Sequence, residues 1–231
     1  MIKFLDFDGV IVDSIDECYV VSYETYYGSS VFQYDKDIYK ELFYKFRGLV
    51  KPASEYCCLH KSIEEYLLKG ADSVDEIFHR NVNEFSRNEA DIFEKNFFYT
   101  RLLHQENNFL AWIEMNPLTE FGKLLVGREN NDINIVTTKN KSAVESILKH
   151  YNISVAGIYA NDEIKSAGNK GSLINGIMDL QNEKKSMFLD DAVEHLMTVS
   201  DDRVRCYFAD WGYGINQSYQ VLKREMWAEY I

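Results

Sequence analysis

No apolar run in this 231-residue sequence approaches the ~18 residues that a membrane-crossing helix needs, so a membrane span is not expected. Positive charge is also scarce, with 25 Lys and Arg against 37 Asp and Glu and a formal net charge of −12. Extended nucleic acid and anionic membrane surfaces require a basic footprint that displaces counterions, which excludes both as expected partners. Cysteine is sparse as well. Cys18, Cys57, Cys58 and Cys206 lack metal-ligand spacing, and the adjacent Cys57 and Cys58 suit neither a zinc site nor an ordinary disulfide, so reduced and mostly buried thiols are expected. The chain reaches acidic residues by Asp6, leaving no room for a charged and apolar leader, and the expected location is cytoplasmic. Repeats, low-complexity tracts and linkers of disordered composition are missing too.

What is present is the composition of a folding chain: 46% hydrophobic and 27% charged residues exclude the disordered class. Cores stop growing economically near ~250 residues, so this length allows one core with an insertion or two small domains. A short apolar strand over residues 2 to 5 ends in acidic residues and Gly9. The same strand-then-polar-tip pattern returns at 133 to 136, 155 to 160, 187 to 189 and 204 to 208. Helical spacing lies between: Ala143, Val144, Ile147 and Leu148; Leu173, Ile174, Ile177 and Met178; Ala192, Val193, Leu196 and Met197. This alternation predicts an α/β fold, a Rossmann-like doubly wound parallel sheet whose ligand crevice lies at the carboxyl ends of the strands.

From Ser14 to Met115 the texture changes to Tyr, Phe, Glu and Lys with helical periodicity and no convincing strand. Residues 14–115 are therefore expected to form an inserted α-helical cap domain, with 1–13 and 116–231 forming the α/β core. Breaks at Gly28 to Ser30, Gly48 to Pro52 and Gly70 to Ser73 divide the insertion into four or five helices.

Four strand tips carry the candidate chemistry. Asp6 and Asp8 follow the first strand, where period-two geometry can aim both carboxylates to one side and Gly9 permits a sharp turn. Such a pair repels unless a cation lies between the two or one holds a proton. Thr137 and Thr138 end the second strand, where a hydroxyl and free backbone N–H groups ahead of a helix suit a phosphate oxygen, although Thr is also common in strands and as a cap. Lys170 precedes a helical run, against the macrodipole, which makes sense beside an anion; Lys165 competes for this role. Asp190 and Asp191 end another strand as hard oxygen donors suited to Mg²⁺, or as an N-cap and first-turn acid.

In this order, each at a strand tip, the four elements resemble the haloacid dehalogenase superfamily of aspartyl-phosphate hydrolases over roughly residues 1 to 13 and 120 to 225. The stretch Ala209 to Gly214 is similar to phosphoglycolate-phosphatase-type members. The resemblance implies a phosphatase acting on a small phosphorylated metabolite, with Asp6 as nucleophile and Asp8 as general acid/base. It implies phosphate contacts from Asp6, Gly9, Thr137, Thr138 and Lys170, and Mg²⁺ held by Asp6, Asp8, Asp190 and Asp191. Many members carry Gly-Asp and a further Asp four residues on; here Asp-Asp is followed by Glu194 and His195, which leaves open which carboxylate binds metal directly. Asp8 disfavours dehalogenation. A phosphomutase of the β-phosphoglucomutase kind and a non-catalytic binding module are the alternatives. Within the insertion, Arg47 and Arg101 are candidate substrate contacts, whereas His60, His104 and Trp112 read as packing or surface residues.

Overall fold

The computed structural model of the chain describes residues 1–29, 34–70, 72–215 and 219–227; Ser30 and Ala71, in two of the expected breaks, lie outside them. The chain divides into two compact units, Met1–Ser14 with Asn116–Ile231 and, separately, Ile15–Met115.

In the first unit the strands β1 (Ile2–Leu5), β2 (Glu129–Val136), β3 (Ser154–Tyr159), β4 (Ser186–Asp190) and β5 (Val204–Phe208) form one sheet of order β3-β2-β1-β4-β5. Every pairing is parallel. All residues of β1 and β4 are buried, as a parallel sheet covered on both faces requires. The helix between β2 and β3 (Lys141–His150) buries Ala143, Val144, Ile147 and Leu148, the apolar stripe that its spacing predicts. On one face Phe4, Val136, Ile174, Met178, Phe188, Leu196 and Phe208 share a core. The fold class is the one expected, but β2 begins four residues earlier than its apolar signal. Its first half pairs only with β3, through Glu129 and Asn130, and the register shifts before Asn134. Because β1 lies between β2 and β4, the loop after β1 meets the loop after β4 at the point where strand order reverses, where α/β sheets place their ligands.

The second unit is helical: α1 (Ile15–Tyr27), α2 (Lys36–Phe46), α3 (Tyr56–Lys69), α4 (Val74–Glu84), α5 (Arg87–Asn107) and α6 (Phe109–Glu114), with two 3₁₀ turns. These are six α-helices among the described residues, more than the four or five expected. The extra divisions come from caps rather than glycines: Ser86 and Glu89 form a capping box at the start of α5, and Asn108 accepts from Ala111 N at the start of α6. The core of this unit is aromatic, with Tyr19, Tyr23, Tyr39, Phe43, Tyr56 and Phe97 buried around Leu59 and Ile63. His60 is fully buried among them, its Nε2 2.8 Å from Ser22 Oγ and its Nδ1 2.8 Å from Tyr39 Oη. Burial drives its pKa down to about 3, so it packs as a neutral ring. Among the described residues no helix is long and apolar enough to cross a membrane.

Candidate active site

The first functional loop is shaped by its backbone. Asp6 N donates to Leu189 O at 2.9 Å, which continues the β1–β4 ladder by one residue and fixes Asp6 beside the end of β4. A tight turn follows: Gly9 has φ +80°, its N–H donates to Val12 O, and Ile11 and Val12 both donate to Phe7 O. A Cβ at position 9 would stand 2.4 Å from Asp191 Oδ2. Glycine is thus required twice over, for the left-handed backbone and for the approach of Asp191.

Three buried side chains meet at this edge of the sheet. Lys170 opens the helix Lys170–Leu180 and is 1% exposed; its Nζ donates to Asp190 Oδ2 at 2.7 Å and lies 2.9 Å from Asp6 Oδ1. The Asp6 contact is an ion pair without hydrogen-bond alignment, and Asp6 Oδ1 is a buried oxygen that receives no hydrogen bond from the described residues. Lys165, the competing lysine, is exposed. Asp190 also accepts from Ala192 N (2.8 Å, Oδ1), and His195 Nδ1 lies 3.1 Å from its Oδ2 and 3.3 Å from its Oδ1. His195 sits on the short helix Val193–Met197, one turn beyond.

These contacts set the charges. Burial, and then the negative charge of Asp190, push the Asp6 carboxyl up to about 6 against the pull of Lys170. Burial acts on Asp190 in the same direction, but there Lys170 and His195 outweigh it and hold the group well below the usual carboxylate range. Burial also opposes the charge on Lys170, and Asp190 and Asp6 more than compensate, so its pKa is raised. Asp190 is therefore the settled anion of the pair and Asp6 the strained one.

The second strand tip supplies Thr137, 1% exposed, whose Oγ1 accepts from Lys139 N at 3.2 Å; Thr138 is half-buried. The side chain of Lys139 is fully buried, and its Nζ donates to Asp8 Oδ1 at 3.0 Å. Asp191 accepts from Tyr213 N at 2.6 Å. The Tyr213 hydroxyl in turn donates to Asp13 Oδ1 and accepts from Ser14 N, which pins the end of the first loop.

The structure thus joins Asp6, Lys170 and Asp190 directly, places Asp8 on Lys139, and sets Asp191 against Gly9 and Tyr213. Single ligand atoms of Asp6, Asp190 and His195 lie within 4.8 Å of one another, a grouping that differs from the expected Asp6, Asp8, Asp190 and Asp191. Sequence reasoning passed over Lys139, His195 and Tyr213. Lys139 adjoins a tip motif and His195 stands where an acid was expected, so both had a positional signal but no visible partner. In the helical unit Arg101 and Arg47 have other engagements. Arg101 is 2% exposed and grips the fully buried Glu17, with Nη2 to Oε2 at 3.0 Å, while Trp112 Nε1 donates to the same carboxylate at 3.3 Å. Arg47 donates to Val50 O and lies over the Tyr56 ring.

The residues fit a hard divalent cation. The four carboxyl groups of Asp6, Asp8, Asp190 and Asp191 outnumber the two ammonium groups of Lys139 and Lys170, and Asp6 presents a buried oxygen that receives no hydrogen bond from the described residues. Oxygen donors of this kind are the set Mg²⁺ takes.

No protein-family model matches the sequence, and no curated protein matches it. Solved structures do resemble the fold. A hydrolase of the haloacid dehalogenase-like family, SP0104 from Streptococcus pneumoniae, is 18% identical with a TM-score of 0.58, covering 99% of this chain and 97% of its own. A protein described as a predicted phosphoglycolate phosphatase from Haemophilus somnus is 12% identical with a TM-score of 0.62, covering 99% and 96%. The HAD-hydrolase YfnB from Bacillus subtilis, solved bound to magnesium, is 12% identical with a TM-score of 0.56, covering 99% and 96%. The chain has the fold of haloacid dehalogenase-like hydrolases.

Proposed function

We propose that the chain is a Mg²⁺-dependent phosphatase that hydrolyses a small phosphorylated metabolite through an aspartyl-phosphate on Asp6. The observation that carries this reading is the convergence of Asp6 and Asp190 on the buried ammonium of Lys170 at the strand-order reversal. The likeness to solved phosphatases and to a magnesium-bound hydrolase supports it. Residues 1–13 and 116–231 act as the catalytic core, and residues 14–115 as a helical cap that governs substrate choice.

Asp6 attacks phosphorus in line, and the bond from phosphorus to the leaving oxygen breaks as Asp8, in its protonated form, gives that oxygen its proton. A water then attacks the aspartyl-phosphate, Asp8 takes the water's proton, and Asp6 departs as a free carboxylate with inorganic phosphate as product. Thr137 and Thr138, with the backbone N–H groups of their loop and of Gly9, receive phosphoryl oxygens, while Lys170 balances charge on Asp6 and the phosphate. Lys139 fixes the rotamer from which Asp8 reaches the leaving group. Asp6 and one carboxylate of the Asp190–Asp191 pair would hold the cation, which when bound would neutralise charge on the transferring group.

Release of phosphate from p-nitrophenyl phosphate, stopped by EDTA and restored by Mg²⁺, tests the activity. Asp6→Asn is expected to lose turnover by at least about 10³-fold with an unchanged circular-dichroism spectrum. Retained turnover would remove Asp6 as the nucleophile.

A further inference from the structure

The chemistry above leaves one buried contact unused. Asp190 is fully buried, and its two oxygens receive Lys170 Nζ, Ala192 N–H and the imidazole of His195. An ionised carboxylate offers about four acceptor sites and no donor, so the proton of the His195 contact belongs to Nδ1. That nitrogen stands nearly equidistant from the two oxygens, at 3.1 and 3.3 Å, which is the position of a donor shared across the carboxylate edge. Lys170 is shared too, between Asp190 at 2.7 Å and Asp6 at 2.9 Å.

We propose that His195 is a positioning residue for the nucleophile: by saturating Asp190 it keeps Lys170 divided between Asp190 and Asp6. The proposal rests on the phosphatase reading and adds a residue to it. Without the imidazole, the edge of the buried Asp190 loses a donor, and an under-satisfied buried charge is costly. Among the described residues Lys170 is the lysine in contact with it, and it then moves toward Asp190 and away from Asp6. Asp6 loses the charge that orients it. Substrate binding, which relies on the phosphate loops, changes little, so the loss falls on kcat.

The test compares His195→Ala, His195→Gln and His195→Asn. The asparagine amide nitrogen sits where Nδ1 stands, whereas glutamine places its amide nearer Nε2. The expected result is a fall in kcat of about 10- to 100-fold for the alanine and glutamine variants at nearly constant KM, as when the supporting partner of a site group is removed. The asparagine variant recovers most of the rate. Equal kcat in all three, a loss confined to KM, or an asparagine variant no better than alanine overturns the proposal.

Two readouts do not depend on turnover. The ¹⁵Nζ resonance of Lys170 should shift in the alanine and glutamine variants and stay in place in the asparagine variant. Mn²⁺ substituted for Mg²⁺ should show no ¹⁴N coupling by pulsed EPR; a coupling that vanishes in His195→Ala would make the imidazole a metal ligand and overturn the positioning role. If the wild type releases no phosphate while the Lys170 signal still responds, the coupling of His195 to Lys170 stands and the phosphatase reading falls. If the enzyme is active and the signal is indifferent to His195, the positioning role falls alone.

Discussion

Both units bury charged side chains, and they do so to opposite ends. In the helical unit Glu17 is paired with Arg101, with Trp112 supplying a further donor, and His60 has a partner on each ring nitrogen. In the sheet unit the carboxylates outnumber the lysines, and Asp6 keeps an oxygen that receives no hydrogen bond. Buried charge by itself therefore does not mark chemistry. A balanced buried pair locks a core, whereas an unbalanced set waits for an ion or a substrate.

The comparison breaks first at Lys170. Lys170→Met should lower kcat by about 10³-fold or more, because it removes the ammonium that touches both buried carboxylates. A variant with near-normal turnover of p-nitrophenyl phosphate would put the sheet unit's charges in the same structural class as those of the helical unit. Next, Arg101→Ala should destabilise the protein by about 3–5 kcal/mol in urea unfolding, since it leaves the buried charge of Glu17 without the Arg101 guanidinium, while the double change Glu17→Leu with Arg101→Met should recover much of that loss. A stable Arg101→Ala protein with a raised KM would instead return Arg101 to the substrate role read from sequence.

A subtler effect is expected from pH in metal-free protein. The Asp6 carboxyl is raised from 3.8 to about 6, so its contribution to stability is present below about pH 4 and is lost as pH rises through 6. Asp6→Asn, which cannot ionise, should therefore be the more stable protein at pH 8 in EDTA, by about 2–3 kcal/mol, and lose the advantage by pH 4. Thermal melts across pH would check it; curves that stay parallel would show that Asp6 is not strained. The smallest effect concerns thiols. Burial pushes Cys57 up to about 11 and Cys58 up to about 12, so both should react slowly with a disulfide reagent at pH 8 until the helical unit is unfolded.

The sheet was legible where strands are mostly apolar. Residues 2 to 5 form β1 as read, because a strand buried on both faces is rich in apolar residues and only Lys3, paired with Asp132, interrupts this one. The start of β2 was not legible: Glu129 to Asp132 hold no apolar signal, and Asn130 is kept in place by donating to Leu125 O and Ser154 O, contacts that exist only after folding. The same boundary runs through the site. Asp6, Lys170 and Asp190 could be chosen because each stands beside a strand tip or helix start. Lys139 and His195 could not, since their roles depend on which edge of another carboxylate remains open. Strand order itself came from no residue pattern in particular, yet it decides that Asp6 and Asp190 are neighbours.

That order also bears on how the protein is made. β1 is paired on one side by β2 and on the other by β4, so its second neighbour emerges from the ribosome more than 180 residues after it. The helical unit is one continuous stretch and can be complete before either neighbour exists. Until then Ile2–Leu5 is a mostly apolar ribbon with two bare edges, open to association with other chains, and any truncation between β2 and β4 leaves one of those edges bare.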